Sequence, residues 1–244
     1  MSKILVIAVV IVVVAAVAGV LVYTQLDKEG SETEETVTFN GTEFSWDDMQ
    51  EDLGTKTIDG KTGVGLGEVV NDTGLASPDT YKYVLKASDN YSMVVNWTLL
   101  QSGIVVEEVG DDNSTYLMSY FPGMPSAYKV KNLASIEHTT ELTPIVCNGY
   151  EFYMDYMPKK VNQKTIVYNE TYNATGYSLS DMVNFTGLAS PETHEYAINA
   201  SDFEKTVSWD NMLNGVIVVE DTKSVFLGLS KGYMVKNIVE IRVL

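Results

Sequence analysis

The chain has 244 residues, 45% hydrophobic, 10% aromatic and 20% charged, enough for one large or two ordinary domains and too apolar for a disordered polymer. Sixteen basic residues, of which only Arg242 is arginine, stand against 33 acidic ones and leave a net charge of −17. That balance excludes nucleic acid as a partner and counts against any pyrophosphate ligand, because both need clustered cations and usually arginine forks. The single cysteine, Cys147, excludes an intrachain disulfide framework, an all-cysteine zinc site and an iron–sulfur cluster.

In chain order, the first feature is an uncharged apolar run from Ile4 to Tyr23. Twenty residues at the helical rise span about 30 Å, the hydrocarbon thickness of a bilayer. Residues 1–23 therefore read as a single-pass transmembrane anchor, followed by an acidic linker over 24–36. Lys3 ahead of the run favours an inside N-terminus, which places the rest of the chain outside the cytoplasm. The competing reading is a cleaved signal peptide, since Ala16-Val17-Ala18 offers a small-x-small cleavage site. Against it, cleavage there would leave Gly19-Val20-Leu21-Val22-Tyr23 as an apolar new terminus.

Nine of the fifteen asparagines head an Asn-x-Ser/Thr sequon: Asn40, Asn71, Asn90, Asn96, Asn113, Asn169, Asn173, Asn184 and Asn199. Ser and Thr together are 40 residues, so chance gives about two or three. Crowding of Asn and Thr into turns accounts for some of the excess, and glycosylation of several sites, not all nine, for the rest. Glycans and acidic charge both suit a domain outside a cell, and an archaeal envelope is the expected setting.

The sequence then repeats itself. Thr62-Gly63-Val64-Gly65-Leu66 through Gly74-Leu75-Ala76-Ser77-Pro78 returns as Thr175-Gly176-Tyr177-Ser178-Leu179 through Gly187-Leu188-Ala189-Ser190-Pro191, at an offset of 113. Ala87-Ser88-Asp89 returns as Ala200-Ser201-Asp202, and Ile104-Val105-Val106-Glu107 as Ile217-Val218-Val219-Glu220, at the same offset. Val130-Lys131-Asn132 answers to Val235-Lys236-Asn237, and Asn40-Gly41 to Asn148-Gly149. A unit of about a hundred residues means two tandem domains, assigned to 37–140 and 144–244, and not a solenoid.

Each unit reads as mixed α and β. Asn40-Gly41 suits a tight hairpin between Val37–Phe39 and Glu43-Phe44. Ser45 can cap a short helix carrying Trp46 and Met49, and Ser178 one over Leu179 to Asn184 that stops at Gly187. Strands follow at Tyr81–Lys86, Ser92–Val95 and Ile104–Val106, and again at Tyr196–Ala200, Thr206–Ser208 and Val216–Val219. The fold class is α+β: two tandem mixed-sheet domains with short helices after one N-terminal transmembrane helix, with no βαβ periodicity.

The pattern of a hairpin, Thr-Gly-x-x-Leu, a closing Gly-Leu and a strand into Ala-Ser-Asp resembles the molybdopterin-binding domain of the sulfite-oxidase superfamily. The residues carrying it are Gly63, Leu66, Val69, Gly74-Leu75, Ala87-Ser88-Asp89, Tyr91 and Tyr128 to Asn132, then Gly176, Leu179, Val183, Gly187-Leu188, Ala200-Ser201-Asp202 and Tyr233 to Asn237. Together the two passes cover about 210 residues. The resemblance implies a molybdenum-binding cysteine just before Gly63 or Gly176, but Thr55–Gly60 and Lys164–Asn169 contain none, and Cys147 lies elsewhere. The fold carries over as an expectation; the redox chemistry does not. No cofactor, metal ligand set or catalytic residue is expected.

His138 and His194 have no ligand spacing and read as surface residues, and Asp89 and Asp202 as turn residues. The acidic loop Gly110–Thr115 offers oxygen ligands for calcium but lacks the EF-hand spacing. Tyr116 to Tyr128 looks private to the first copy. Its Tyr116, Tyr120, Phe121, Met124 and Tyr128 either dock a partner or pack back onto their own domain. The functional expectation is a membrane-anchored, glycosylated extracytoplasmic protein that binds or assembles without catalysis, residues 109–128 contributing to the partner surface. Its partners are the membrane, another surface or membrane protein and, as a further option, copies of itself. The alternative is an oxidoreductase or electron-transfer subunit with a degenerate molybdopterin site.

Overall fold

A computed structural model describes residues 35–169 and 172–244. The apolar run Ile4–Tyr23 and its linker through Glu34 lie outside the described residues, and among the described ones no helix is long and apolar enough to cross a membrane.

In the first repeat, β1 (Thr36–Phe39) and β2 (Thr42–Ser45) form the hairpin at Asn40-Gly41. Both turn residues have positive φ, 48° and 85°, the backbone that asparagine and glycine tolerate best. The Ser45 hydroxyl accepts from the Asp48 amide at 3.1 Å and starts α1 (Trp46–Leu53), with Asp47 and Asp48 against the positive end of the helix. Next come β3 (Lys56–Ile58), β4 (Lys61–Gly65), α2 (Leu66–Asp72), β5 (Lys82–Ala87), β6 (Ser92–Asn96), α3 (Trp97–Ser102), β7 (Ile104–Val109), β8 (Thr115–Tyr120) and β9 (Leu133–Thr139). They make a five-stranded mixed sheet ordered β2-β1-β9-β5-β6 and a four-stranded antiparallel sheet ordered β3-β4-β7-β8. The one parallel pairing joins β1 to β9, so the two ends of the repeat close the sheet together.

The second repeat runs through β10 (Ile145–Cys147), β11 (Tyr150–Phe152), β12 (Gln163–Asn169), β13 (Tyr172–Ser178), α4 (Leu179–Phe185), β14 (Glu195–Asn199), β15 (Glu204–Ser208), α5 (Trp209–Leu213), β16 (Gly215–Val218), β17 (Lys223–Phe226) and β18 (Glu240–Val243). Its sheets are ordered β11-β10-β18-β14-β15 and β12-β13-β16-β17, the same plan including the parallel pair, here β10 with β18. A 3-10 turn at Met154–Tyr156 stands where the first repeat has α1. The molecule is thus α+β, with mixed sheets and few short helices.

The shared motifs have structural causes. A Cβ on Gly63 would collide with the Val105 carbonyl, and one on Gly176 with the Ile217 carbonyl, so only glycine lets these strands approach. Ser77 and Ser190 take left-handed φ of 52° and 50° ahead of 3-10 turns. Tyr83 and Tyr196 latch those turns by donating to the Pro78 and Pro191 carbonyls at 2.7 and 2.6 Å.

Two alignments read from sequence are corrected. Gly65 pairs with Ile104, and Ser178 with Val216, so Ile104 is equivalent to Val216 and not to Ile217. The register moves by one because the β14–β15 turn is one residue shorter: Ala87 bonds to Tyr91, while Ala200 bonds to Phe203. Ile104 also pairs with Tyr120 and Val216 with Val225, which makes the second hairpin seven residues shorter, all of it removed from the β7–β8 tip. Phe121 to Tyr128 therefore has a counterpart, Phe226 to Tyr233, and only the hairpin tip around Tyr116 is private to the first repeat. Buried Ser119 and Ser224 fix that equivalence, since their hydroxyls accept from the Val130 and Val235 amides at 2.9 and 3.0 Å.

Thr36–Leu244 form one compact unit, and a single buried apolar cluster runs from Val37, Phe39 and Tyr83 through Tyr128 to Phe152, Phe185 and Ile241. The repeats share a core and do not merely follow one another.

Candidate functional site

The second repeat docks on the edge strand β6 of the first. Tyr153 buries against Val84 and Val94, and Tyr128 of the first repeat packs on Phe185 of the second with ring centroids 6.1 Å apart. Phe185 also stacks edge-on against Tyr150 and Phe152. Lys82 Nζ lies 3.0 Å from both Glu151 carboxylate oxygens, and Tyr153 donates to Glu151 at 2.6 Å. Lys159 sits 4.8 Å above the Tyr91 ring and bonds Asp89 Oδ2 at 3.1 Å. Asp89 also accepts from the Tyr91 amide, and that bond, then Lys159, holds its carboxyl below the usual range. A cavity of about 140 Å³ remains between Asn96, Met124, Tyr128, Tyr150 and Glu151.

Of the sequence-predicted partner residues, Phe121 and Tyr128 are buried, Met124 is half-buried against the core, and Tyr116 and Tyr120 lie half-buried on β8. Tyr120 donates to Asp59 at 2.8 Å. These five side chains form no single exposed patch: Tyr128 and Met124 face the second repeat, and Tyr116 and Tyr120 belong to the four-stranded sheet. Among the described residues the exposed aromatic side chains lie on the second repeat. Phe203 and Tyr233, the counterparts of Tyr91 and Tyr128, are 43% and 37% exposed, where Tyr128 is 3% exposed. Lys205 bridges them, 5.2 Å from one ring and 5.5 Å from the other, at the open edge strand β15. Sequence reasoning missed this surface, although the aromatic residues at both repeat-equivalent positions signalled it.

Cys147 is fully buried on β10, and burial pushes its thiol up to about 12. That thiol points into the core and cannot be the soft ligand of an exposed site. With no cysteine in Thr55–Gly60 or Lys164–Asn169 and one arginine, Arg242, already paired with Glu204 at 2.9 Å, the residues present do not fit a molybdenum–pterin group. Among the described residues no three His, Cys, Asp or Glu side chains cluster as a metal site. The His138 ring is half-buried and packs edge-on against Tyr81 with centroids 4.6 Å apart. The acidic loop closes on itself, with Ser114 donating its amide and hydroxyl to Asp112.

Six predicted sequon asparagines are exposed: Asn40, Asn71, Asn90, Asn113, Asn173 and Asn184. Asn96 caps α3, accepting from the Leu99 amide at 2.9 Å, and Asn199 donates to Glu240 at 2.8 Å. The Asn169 side chain lies outside the described residues. No family model, curated protein or solved structure matches the chain.

Proposed function

We propose that the chain is a membrane-anchored, glycosylated extracytoplasmic protein whose tandem repeats bind another surface or membrane protein. The repeats are read as cofactor-less relatives of the molybdopterin-binding domain, kept for their shape. One observation carries the reading: the aromatic pair and strand edge that the second repeat covers on the first recur, uncovered, on the second repeat. In the first copy that face is Tyr91, Tyr128 and the edge of β6; in the second it is Phe203, Tyr233 and the edge of β15. Exposed aromatic side chains beside an unpaired strand edge are the ingredients of a protein interface.

Charge narrows the occupant. Lys82, which receives Glu151, is replaced at the equivalent position by Glu195. In the first-repeat hairpin, Tyr150, Glu151 and Tyr153 are replaced by Thr42, Glu43 and Ser45. Repeating the internal contact between two chains would set Glu43 against Glu195 and supply no tyrosine, so self-association in this manner is disfavoured. The fitting partner is a different protein presenting aromatic and basic side chains. Detergent extracts of native membranes, after mild crosslinking, should hold the wild-type chain in a species larger than a monomer. The pair F203E and Y233E should release it as a monomer, while two differently tagged copies fail to co-purify. A crosslinked wild-type chain of monomer size, or an assembly untouched by both substitutions, overturns the proposal.

A further inference from the structure

The fold sorts six of the nine sequons. Transfer of an N-glycan joins the asparagine Nδ2 to the anomeric carbon of a lipid-phosphate-linked oligosaccharide. The bond from that carbon to the phosphate oxygen breaks, the lipid phosphate departs, and the amide proton passes to a base of the transferase. The amide must therefore be free, and the hydroxyl two residues on must be readable with it, a condition met on turns.

Three sequons meet it at turn tips. Asn40, Asn90 and Asn113 are exposed and left-handed, with φ of 48°, 65° and 62°. Thr42 and Thr115 are exposed as well, and Ser92 is half-buried. Turn conformation alone does not produce these sequons, since Asn132, Asn148 and Asn237 are also left-handed and none heads one. Three other sequons are closed. Asn199 lies within β14, its Nδ2 held by Glu240 and its Oδ1 buried without a partner. Asn96 is half-buried at the inter-repeat cavity and caps α3, so a sugar there meets Tyr150 and Glu151. Asn184 is exposed, but its Thr186 is buried, donating to the Val183 carbonyl at 2.7 Å and accepting from Asn148 at 3.1 Å.

We infer that Asn40, Asn90 and Asn113 are the glycan acceptors of the folded chain's turns and that Asn96, Asn184 and Asn199 stay bare. This rests on the extracytoplasmic reading. All three acceptors lie on the first repeat. The corresponding turns of the second, at Asn148-Gly149, Asp202-Phe203 and Asp221-Thr222, carry no sequon, which keeps the Phe203–Tyr233 face free of sugar.

Glycopeptide mass spectrometry on full-length protein from native membranes tests the sorting. Sugar is expected on the peptides of Asn40, Asn90 and Asn113 and absent from those of Asn96, Asn184 and Asn199. Replacing the left-handed asparagines would strain their turns, so T42A, S92A and T115A remove the sequons instead. Each should increase gel mobility by one glycan, while T98A and S201A leave it unchanged. Sugar on Asn96, Asn184 or Asn199, or unchanged mobility in all three turn variants of a protein glycosylated elsewhere, overturns the sorting alone. Absence of sugar from every sequon overturns the sorting and the glycoprotein reading together.

Discussion

Tyr128 and Tyr233 occupy the same position in the two repeats, so replacing each by alanine isolates what tandem docking contributes. Tyr128 is 3% exposed and packs against Phe121 and Phe185; Tyr233 is 37% exposed beside Lys205. A tyrosine buries about 200 Å², so a third of it is roughly 70 Å², or about 1.7 kcal/mol at ~25 cal/mol per Å². Losing two aromatic neighbours adds about 0.5–1.5 kcal/mol for each pair. Tyr128→Ala is accordingly expected to cost about 3 kcal/mol more than Tyr233→Ala: about 4 kcal/mol, within the range for buried truncated aromatics, against about 1 kcal/mol, below that range because Tyr233 is already partly solvated. For a unit of this size, 1 kcal/mol moves Tm by about 2–4 °C, so the first variant should melt about 8–16 °C lower and the second about 2–4 °C lower. Thermal unfolding of the detergent-solubilised chain followed by circular dichroism reads both. Equal shifts would refute the docked arrangement, and two separate melting transitions in the wild type would refute the shared core.

Four further outcomes test other parts of the account. Protease added to intact cells should remove both repeats and leave a small membrane fragment; a full-length chain protected until the membrane is broken contradicts the outward orientation. Cys147 should resist thiol reagents in the native chain at pH 8 and react on denaturation, and immediate native reaction contradicts its burial. Because its folded pKa of about 12 exceeds the ordinary 9.0, the native state holds the proton more tightly, so the contribution of this thiol to stability is constant below pH 9 and is lost between pH 9 and 12, a part of the slope that Cys147→Ala should remove in urea titrations. Metal analysis of the purified chain should find no stoichiometric molybdenum or tungsten, and a full equivalent of either restores the redox reading.

Local chemistry was the legible part of the fold. Asn40-Gly41 announced its hairpin, Ser45 and Ser178 their helices, and the Thr-Gly and Gly-Leu-Ala-Ser-Pro segments the repeat, because each acts through neighbours in sequence. Helices α3 and α5 were missed because they are only six and five residues long, although Asn96 and Ser208 cap them with ordinary cap chemistry. The β1–β9 and β10–β18 pairings join chain segments about a hundred residues apart, which no local pattern encodes. The one-residue slip at β16 comes from a shortened turn that leaves the hydrophobic run intact, so matching like residues gave the wrong register. The candidate site was hidden for a related reason. Two equivalent tyrosines differ in whether another repeat covers them, and that difference exists in space and not along the chain.

Hydroxyl-radical footprinting compares that cover directly, in native membranes and in the purified, dissociated chain. Phe203 and Tyr233 are predicted to label strongly in the purified chain and to be shielded in the membrane, while buried Tyr128 stays silent in both. Labelling of Phe203 and Tyr233 to the same extent in both preparations would contradict the claim that the second repeat presents the partner-binding face.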